Sequence, residues 1–470
     1  MLSVVLPFVD EFIEMLADGI RTQCPGRDLS RTQRTWLKFC LMGILITNSL
    51  NWRAFERAGL GLYRVGALSW MFRRSGIWWD GLLRVSVELV LRRYGIHEGT
   101  LVGDDLDRQR AKRTHRIWKA HTLFDKKTGG YWNGQCLVFL LLVTAKVTLP
   151  VGVRFFQPDP KRVAWRQEDT RLRQRKVKKR DRPKAPAADP AFPSKTALFL
   201  DLIQDFRAHH PTIQVKAVLI DAAFCTRTVL DDASQRGGQC QVISQLRRNQ
   251  TILFRNRIWS VEDYFRAYPG VPQRLRIRGG QEVTAVVGSA RLYVRAHGQK
   301  RFVIALRYPG ETEDRYLVAT DMSWRTLDIV QTFTLRWLVE VFFEDWTLYE
   351  GWRQMAKQPG EEGSRRSLTL SLLCDHALLL HPEQRALLDH NLPACTVGSL
   401  RQRIQGDTLL AFVRSVATAE NVADRLTQLA DQVRTWFPLA PSGKHMSGRD
   451  LGRQDPTPAL RYRALDACAG

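Results

Sequence analysis

Two apolar stretches of this sequence run straight into carboxylates, and they restrict the fold more than any other feature. Residues 100–103 and 213–220 are short and mostly apolar, which favours buried strands of an α/β sheet. The acids that follow them are Asp104, Asp105, Asp107 and Asp221. Acids this close repel one another unless a cation or an arginine neutralises them. For the first cluster, a turn with solvated acids beside basic neighbours is the simpler alternative.

The sequence around these acids predicts an order of strands and helices along the chain. After residue 103 the patterns predict strands at 131–144, 151–156, 213–220 and 241–246, and helices near 194–208 and 226–235. The first of these strands is too continuously apolar for a surface strand and suits a central one. The predicted order is strand, strand, strand, helix, strand, helix, strand. The acids then lie at the ends of the first and fourth strands.

A long amphipathic helix, with an N-cap in residues 321–323, is predicted to include residues 333–349. Within it Arg336 and Glu340 lie four residues apart and share one face. Because so apolar a helix should be largely buried, both charged groups need partners. An Arg336–Glu340 salt bridge on a solvated edge is the ordinary interpretation of such a pair.

The rest of the chain divides by composition. Residues 1–97 are predicted to form a helical domain whose interleaved Arg and Trp residues could bind DNA. A helical bundle with a basic solvated surface fits the same pattern. The later segments are predicted to be the core at 98–249 and 323–382, a β-rich insertion at 250–322, a helical region at 383–440 and a loosely ordered tail at 441–470.

Residues 157–194 form a proline-rich and strongly basic segment inside the core region. We expect a flexible, solvated insertion that could lie along a phosphate backbone. A solubilising loop is a nearly equal alternative. The basic residues predicted to contact DNA here are Arg175, Lys176, Lys178, Lys179 and Arg180.

The excess of basic residues favours a polyanionic partner. Lys and Arg number 71 against 47 Asp and Glu, a formal charge of +24, and nucleic acid is the commonest partner of such a chain. An anionic membrane would compete, but no apolar run approaches the ~18 residues of a spanning helix. The 8 cysteines form no Cys-x-x-Cys pair. With no basic leader, these features predict a cytoplasmic, nucleoid-associated protein with reduced thiols.

A sheet of this order, followed by a helix that carries Glu340, is typical of an RNase H-like nuclease core. In such a core, three carboxylates converge on two divalent ions roughly 3.5–4 Å apart. Mg²⁺ suits a site of this kind because it takes oxygen ligands and keeps several waters. The sequence therefore predicts an RNase H-like α/β core with a β-rich insertion and helical flanking regions. It also predicts two Mg²⁺ ions per active site, with Mn²⁺ as a substitute.

With these features the chain resembles bacterial insertion-sequence transposases of the DDE type, in the cut-and-paste group with a Tyr–Arg–Glu–Lys signature. That signature leaves two, three and six residues between its members, and the same spacing gives Phe333, Arg336, Glu340 and Thr347. The acidic cluster at 104–107, the strand before Asp221 and the β-rich insertion match the family's order as well. The resemblance covers roughly residues 100–380.

The resemblance implies a DNA transposase. In this group the element ends are nicked by hydrolysis, the freed 3′ hydroxyl attacks the opposite strand, and the hairpin is resolved before strand transfer. The implied partners are the terminal inverted repeats and target DNA, in a synaptic complex with a homodimer. The implied catalytic and metal-binding triad is Asp104, Asp221 and Glu340, with Asp105 as an alternate for the first position and Glu344 as a weaker alternate for the third.

Further residues are implied to contact DNA. Arg336 would bind a backbone phosphate with bidentate geometry, and Phe333, Trp337 and Thr347 would lie beside the DNA. Phe333 lacks the hydroxyl of the signature tyrosine, and Thr347 lacks the charge of the signature lysine. A decayed or repurposed copy that binds DNA without cutting it is therefore an alternative, and a host nuclease on the same fold is a third hypothesis. Trp324 is a candidate for stacking on a flipped base, with core packing as its alternative.

Overall fold

The structure, a computed structural model, describes residues 4–110, 117–125, 128–277, 280–352 and 358–439. The chain divides into two compact units, Met1–Ala419 and Glu420–Gly470. The tail predicted at 441–470 lies outside the described residues. Among the helices of the described ranges, none combines the length and the apolarity needed to cross a membrane.

The first unit combines helices with one mixed sheet. Its helices are α1 (Pro7–Gln23), α2 (Arg31–Thr47), α3 (Trp52–Ala58), α4 (Val65–Arg74), α5 (Trp79–Tyr94), α6 (Pro160–Gln174), α7 (Lys195–His209), α8 (Arg227–Arg236), α9 (Val261–Ala267), α10 (Thr326–Thr334), α11 (Trp337–Tyr349), α12 (Gly360–Leu379), α13 (Pro382–Asp389) and α14 (Val397–Ala417). Its strands are β1 (Glu98–Gln109), β2 (His121–Phe124), β3 (Tyr131–Val143), β4 (Thr148–Phe156), β5 (Gln214–Ile220), β6 (Gln241–Leu246), β7 (Thr251–Phe254), β8 (Arg257–Ser260), β9 (Val271–Arg276), β10 (Glu282–Val294), β11 (Gln299–Arg307) and β12 (Arg315–Ala319). The second unit contains α15 (Val422–Trp436).

Helices α1–α5 confirm the helical start of the chain, and local sequence sets their limits. Ser30 and Gln33 form a capping box that begins α2, in which each side chain accepts from the other residue's backbone N–H. Helix α5 ends at Gly95, whose φ of 58° lies in the left-handed region that glycine adopts without strain.

The order of the core strands confirms the RNase H-like prediction. The strands lie side by side in the order β4, β3, β1, β5, β6. The strand β3 is antiparallel to both β1 and β4, while β5 runs parallel to β1 and β6 runs parallel to β5. Helices α7 and α8 provide the crossovers before β5 and β6, as the alternating pattern predicts.

Strand β1 is longer than the sequence indicated. It pairs with β3 continuously from Thr100 opposite Val143 to Gln109 opposite Gly134. The prediction that the first acidic cluster lies at a strand end is therefore wrong, because backbone pairing with β3 carries the strand through its polar half. The prediction that Asp221 lies at a strand end is confirmed, because Asp221 directly follows the last residue of β5.

The β-rich segment continues the core sheet. Strand β12 pairs antiparallel with β6, and the sheet then runs through β11, β10, β7 and β8, with β9 also paired to β10. The twelve strands of the described residues thus form one sheet. The insertion extends the edge of the core that lies beyond β6.

The two faces of the sheet carry separate apolar cores. Val102 of β1 belongs to the core beneath α10 and α11, whereas Leu101 belongs to the core beneath α7 and the N-terminal helices. Gly103 faces α7, and a Cβ atom there would lie 1.9 Å from the Phe199 side chain. Successive residues of β1 therefore point to opposite helical layers.

The expected long helix around residues 333–349 is two helices. α10 ends at Thr334 and α11 begins at Trp337, and Leu335 and Arg336 form a turn closed by backbone bonds from Leu335 to Thr332 and from Arg336 to Phe333. The expected N-cap at 321–323 is also wrong. The N-cap of α10 is Arg325, and the carboxylate of Asp321 instead accepts from the backbone and hydroxyl of Ser323.

The basic segment at 157–194 is less irregular than its composition indicated. The Asp159 side chain caps α6 by accepting from the Lys161 backbone N–H, and Pro160 occupies the first turn. The following chain folds back on the helix, because Trp165 donates to the Pro183 carbonyl at 2.8 Å. Residues 160–174 of this segment are therefore a regular helix, while its flexibility stays a prediction. Solvation is as expected, since no residue of α6 is buried.

Candidate active site

Asp104 and Asp221 lie on neighbouring strands. Gly103 of β1 pairs with Ile220 of β5 in the parallel register, so the next residue on each strand is an aspartate. Adjacent strands lie about 4.8 Å apart. The residues two positions before each aspartate belong to the core beneath α10 and α11. Because alternate residues of a strand point to the same face, both aspartates lie on that face of the sheet.

Helix α11 brings Glu340 to the same face. Its aromatic side packs edge-on against Phe139 of β3, through Phe342, Phe343 and Trp346. Glu340 lies in the first turn of this helix, and 47% of its side chain is exposed. The buried aromatic side fixes the helix while Glu340 remains open to solvent.

Arg336 connects two of the predicted metal ligands. One of its terminal nitrogens donates to Asp104 Oδ2 at 2.9 Å, and the other lies 3.9 Å from Glu340 Oε1. The salt bridge with Glu340 predicted from their spacing is therefore present but long. The shorter contact joins Arg336 to a residue 232 positions away in the sequence.

Burial raises the pKa of Asp104 to about 6. Two interactions lower this pKa, the hydrogen bond from the Asp105 backbone N–H at 2.8 Å and the charge of Arg336. The negative charges of Asp105 and Glu340 raise it. The Glu340 carboxylate therefore lies within electrostatic range of Asp104, and such a pair favours a cation between them.

Asp105 points to the other face of β1. Its carboxylate accepts a hydrogen bond from Lys195 Nζ at 2.6 Å, at the start of α7. Ligand atoms of Asp105, Asp107 and Cys136 lie within 4.8 Å of one another and form a group that could hold a metal ion. Lys195 already places a positive charge there, and burial raises the pKa of the Cys136 thiol. This group therefore suits an internal ion pair better than a divalent cation.

The backbone of Asp221 is fixed by its neighbours. Asp221 is the N-cap of a short 3₁₀ turn over Ala222–Phe224, and the Ser244 hydroxyl of β6 donates to its carbonyl at 3.2 Å. Within the described part of the chain, no basic side chain forms an ion pair with the Asp221 carboxylate. Its side chain is half-buried.

The residues predicted to contact DNA have different surroundings. Phe333 packs against the core beneath α10 and α11, Trp337 is 53% exposed, and Thr347 is half-buried on α11. Trp324 lines a groove with Lys216 near the beginning of β5, whereas Asp221 follows the end of that strand. Its position gives no support to a stacking role beside the acids.

The five basic residues predicted to contact phosphate all lie on the surface. They follow α6 and are Arg175, Lys176, Lys178, Lys179 and Arg180. We refer to residues 175–180 as the basic arm. Arg180 lies 3.6 Å from the exposed Asp181 carboxylate, and an ion pair of this kind leaves the charge accessible to solvent.

The donor atoms on the α11 face fit a hard divalent cation. Asp104, Asp221 and Glu340 offer only carboxylate oxygens, the ligand type that Mg²⁺ and Mn²⁺ prefer. Arg336 brings one positive charge against these three carboxyl groups. A single arginine does not offset three carboxylates, so a further cation is electrostatically favoured at this position.

The fold is that of the RNase H-like nucleases, with carboxylates carried by two adjacent core strands and one helix. A family model described as DDE superfamily endonuclease matches residues 25–279, more than half of the chain. The chain belongs to this family, which supports a nuclease-type enzyme and implies a DNA substrate. Enzymes of this superfamily generally use divalent metals. The match includes Asp104 and Asp221 and ends before Glu340. No curated protein matches the chain.

Sequence reasoning did not find the contacts between Arg336 and Asp104 or between Lys195 and Asp105. Both pairs join residues far apart in the chain, so no local pattern could reveal them. One signal was available for the acids themselves. Val102, Asp104 and Leu106 occupy every second position, and Asp105 lies between the last two. In an extended strand this spacing places Asp104 on the same face as the two apolar residues and Asp105 on the opposite face.

Proposed function

We propose that this chain is a DNA transposase that excises an insertion sequence and joins it to target DNA by metal-dependent phosphoryl transfer. The observation that supports this function is the grouping of Asp104, Asp221 and Glu340 on one face of the sheet, beside Arg336. Asp104 is the better candidate than Asp105 for the first ligand. It shares a face with Glu340, whereas Asp105 is paired with Lys195.

The proposed roles follow from burial and charge. A pair of bound Mg²⁺ ions, or Mn²⁺ in their place, would activate the attacking water or hydroxyl and stabilise the leaving oxygen. Asp104, 14% exposed, and Asp221, whose backbone carbonyl accepts from Ser244, would supply two ligands from adjacent strands. Glu340 is more exposed and can reach a ligand position beside DNA. Arg336 supplies planar donors for a phosphate next to the cleaved bond.

DNA is proposed to extend beyond the carboxylates. The basic arm can neutralise backbone phosphates, and the helices of residues 1–97 offer a further binding region. Trp337, Phe333 and Thr347 lie on or beside the helix that carries Glu340. Because two element ends must be cut, the proposed synaptic complex contains two copies of the chain.

Cleavage of its own element ends tests the proposal. The full-length protein, incubated with duplexes that carry the terminal repeats flanking its gene, should produce Mg²⁺-dependent nicks and then strand-transfer products. Glu340→Ala should lower the cleavage rate by at least about 10³-fold, since the ions then have one ligand fewer. Glu344→Ala is the matched control, because Glu344 is an exposed acid one turn further along α11. Equal loss in both variants would contradict the role of Glu340.

A DNA-binding protein that does not cut is the second candidate, and Thr347 is the observation that favours it. Where the signature has a lysine, this chain has a neutral side chain on the helix of Glu340, so one phosphate contact is missing. This alternative predicts retention of terminal-repeat DNA in a gel-shift experiment without any nick in Mg²⁺ or Mn²⁺. Metal-dependent nicking that Glu340→Ala abolishes excludes it.

A further inference from the structure

Arg336 lies where the two carboxylates most need a cation. Its guanidinium reaches Asp104 Oδ2 at 2.9 Å and approaches Glu340 Oε1 to 3.9 Å. The Arg336 side chain is 20% exposed and that of Asp104 14% exposed, so solvent screens this contact only in part. The arginine therefore provides the positive charge that a divalent ion would bring to the same oxygens.

The guanidinium and a metal ion cannot both use the same lone pairs of Asp104 Oδ2. An arginine side chain keeps its positive charge in proteins, so loss of a proton cannot resolve this conflict. A partly buried guanidinium that leaves its carboxylate needs another anion. In a protein that binds DNA, the nearest suitable anion is a backbone phosphate.

The position of Arg336 in the chain suits such an exchange. It lies in the turn between α10 and α11, outside both regular helices. Short irregular turns between helices often lie at functional hinges. Val339 and Trp346 of α11 are fully buried and keep the helix in place. The side chain of Arg336 can therefore change partner without displacement of Glu340.

We propose that Arg336 is an exchangeable counter-ion that couples metal binding to DNA binding. Without metal it neutralises Asp104 and Glu340, and with metal it leaves them and binds a phosphate of the DNA. This inference rests on the proposed function, since it takes both carboxylates as metal ligands. Binding linkage then requires that DNA raise the affinity for metal and that metal raise the affinity for DNA by the same factor.

The competition between Arg336 and the metal is tested by titration of the full-length protein with Mn²⁺ alone. Calorimetry, or the electron paramagnetic resonance signal of free Mn²⁺, measures the binding. Arg336→Gln should bind Mn²⁺ roughly tenfold more tightly than the natural protein, because the competing charge is gone. Arg325→Gln is the charge-matched control, since Arg325 is exposed and pairs only with Asp328 among the described residues. Unchanged or weaker Mn²⁺ binding by Arg336→Gln overturns the inference.

A second titration with a 30-base-pair duplex of arbitrary sequence tests the coupling. The duplex should tighten Mn²⁺ binding to the natural protein several-fold and leave that of Arg336→Gln unchanged. Equal tightening in both proteins overturns the inference. If thermal melting shows that Arg336→Gln is unfolded, Arg336→Lys replaces it. Lysine cannot bridge both carboxylates, so a smaller gain in Mn²⁺ affinity is expected, and no gain overturns the inference.

Asp104→Asn separates this inference from the proposed function. If Asp104→Asn abolishes Mn²⁺ binding while Arg336→Gln leaves the affinity unchanged, the metal site stands and the counter-ion role fails. If Asp104→Asn binds Mn²⁺ as the natural protein does, the proposed metal site itself is wrong.

Discussion

Glu350 and Asp375 are two acidic residues that this fold buries against each other. Glu350 follows α11 and is fully buried, and Asp375 lies in α12 with 6% of its surface exposed. Burial raises the pKa of Asp375 to about 8 and holds the pKa of Glu350 well above its usual value. The pair therefore keeps at least one proton at neutral pH.

This proton makes stability depend on pH in a predictable direction. For Asp375, the pKa in the folded state is about 8 and lies above the ordinary value of 3.8. Between these pH values the folded chain holds a proton that the unfolded chain has released, so stability falls as pH rises, by about 1.4 kcal/mol per pH unit. Asp375→Asn cannot ionise and should lack this contribution. The melting temperature of Asp375→Asn minus that of the natural protein should therefore increase steadily from pH 5 to pH 8.

A control variant isolates this effect. Asp407→Asn changes an acid of α14 whose side chain is 38% exposed and pairs with the exposed Arg403. Its melting temperature should parallel that of the natural protein across the same pH range. If the melting temperature of Asp375→Asn also parallels that of the natural protein, the buried pair does not hold the proton assigned to it.

Among the secondary-structure elements, α6 and the basic arm form an exposed extension in which a few contacts hold the returning chain against the helix. Arg182 pairs with Asp169 of α6 at 2.8 Å, and Trp165 holds the returning chain through the Pro183 carbonyl. These contacts leave the five basic side chains of the arm in solvent. The arm can therefore contribute charge to DNA binding without a part in the folded core.

Removal of the arm's charge should reduce the salt dependence of DNA binding and leave stability unchanged. Each phosphate that the protein no longer neutralises lowers the slope of log K against log salt by about 0.9, so replacement of all five basic residues by Gln should lower it by up to about 4–5. Fluorescence anisotropy with a labelled duplex at several NaCl concentrations measures the slope. Arg403→Gln with Arg414→Gln, on exposed positions of α14, provides a comparison outside the arm. An unchanged slope in the arm variant would remove the arm from the DNA-binding surface.

The elements differ in how far the sequence could predict them. The order of the core strands followed from apolar periodicity, because buried strands of an α/β sheet leave a strong local pattern. The length of β1 did not, because pairing with β3 determines it and, among residues 104–109, Leu106 alone is apolar. The break before α11 was missed for a similar reason, since Leu335 and Arg336 are both good helix formers. Within the candidate site, the residue types could be predicted, but the partner of each charge depends on contacts between distant segments.

At the scale of the whole molecule, the N-terminal helices and the sheet share one apolar core. Phe12 of α1 and Leu37 of α2 belong to the same buried cluster as Leu140 of β3. His376 of α12 adds a buried polar link. Its Nε2 donates to the Pro150 carbonyl at 3.1 Å, and its Nδ1 accepts from the Ser86 hydroxyl at 2.7 Å. Burial lowers the pKa of His376 to about 4, so this ring is neutral at physiological pH.

A shared core predicts that residues 1–97 do not unfold separately from the sheet. Phe12→Ala should destabilise the whole first unit by about 3–5 kcal/mol, because Phe12 is fully buried and its removal leaves a cavity. In differential scanning calorimetry of the full-length protein, the main transition should move to lower temperature without splitting. Leu62→Ala, at a 53% exposed position among the same helices, should leave it nearly unchanged. A new early transition in Phe12→Ala, with the main one unmoved, would show instead that the N-terminal helices are an independent domain.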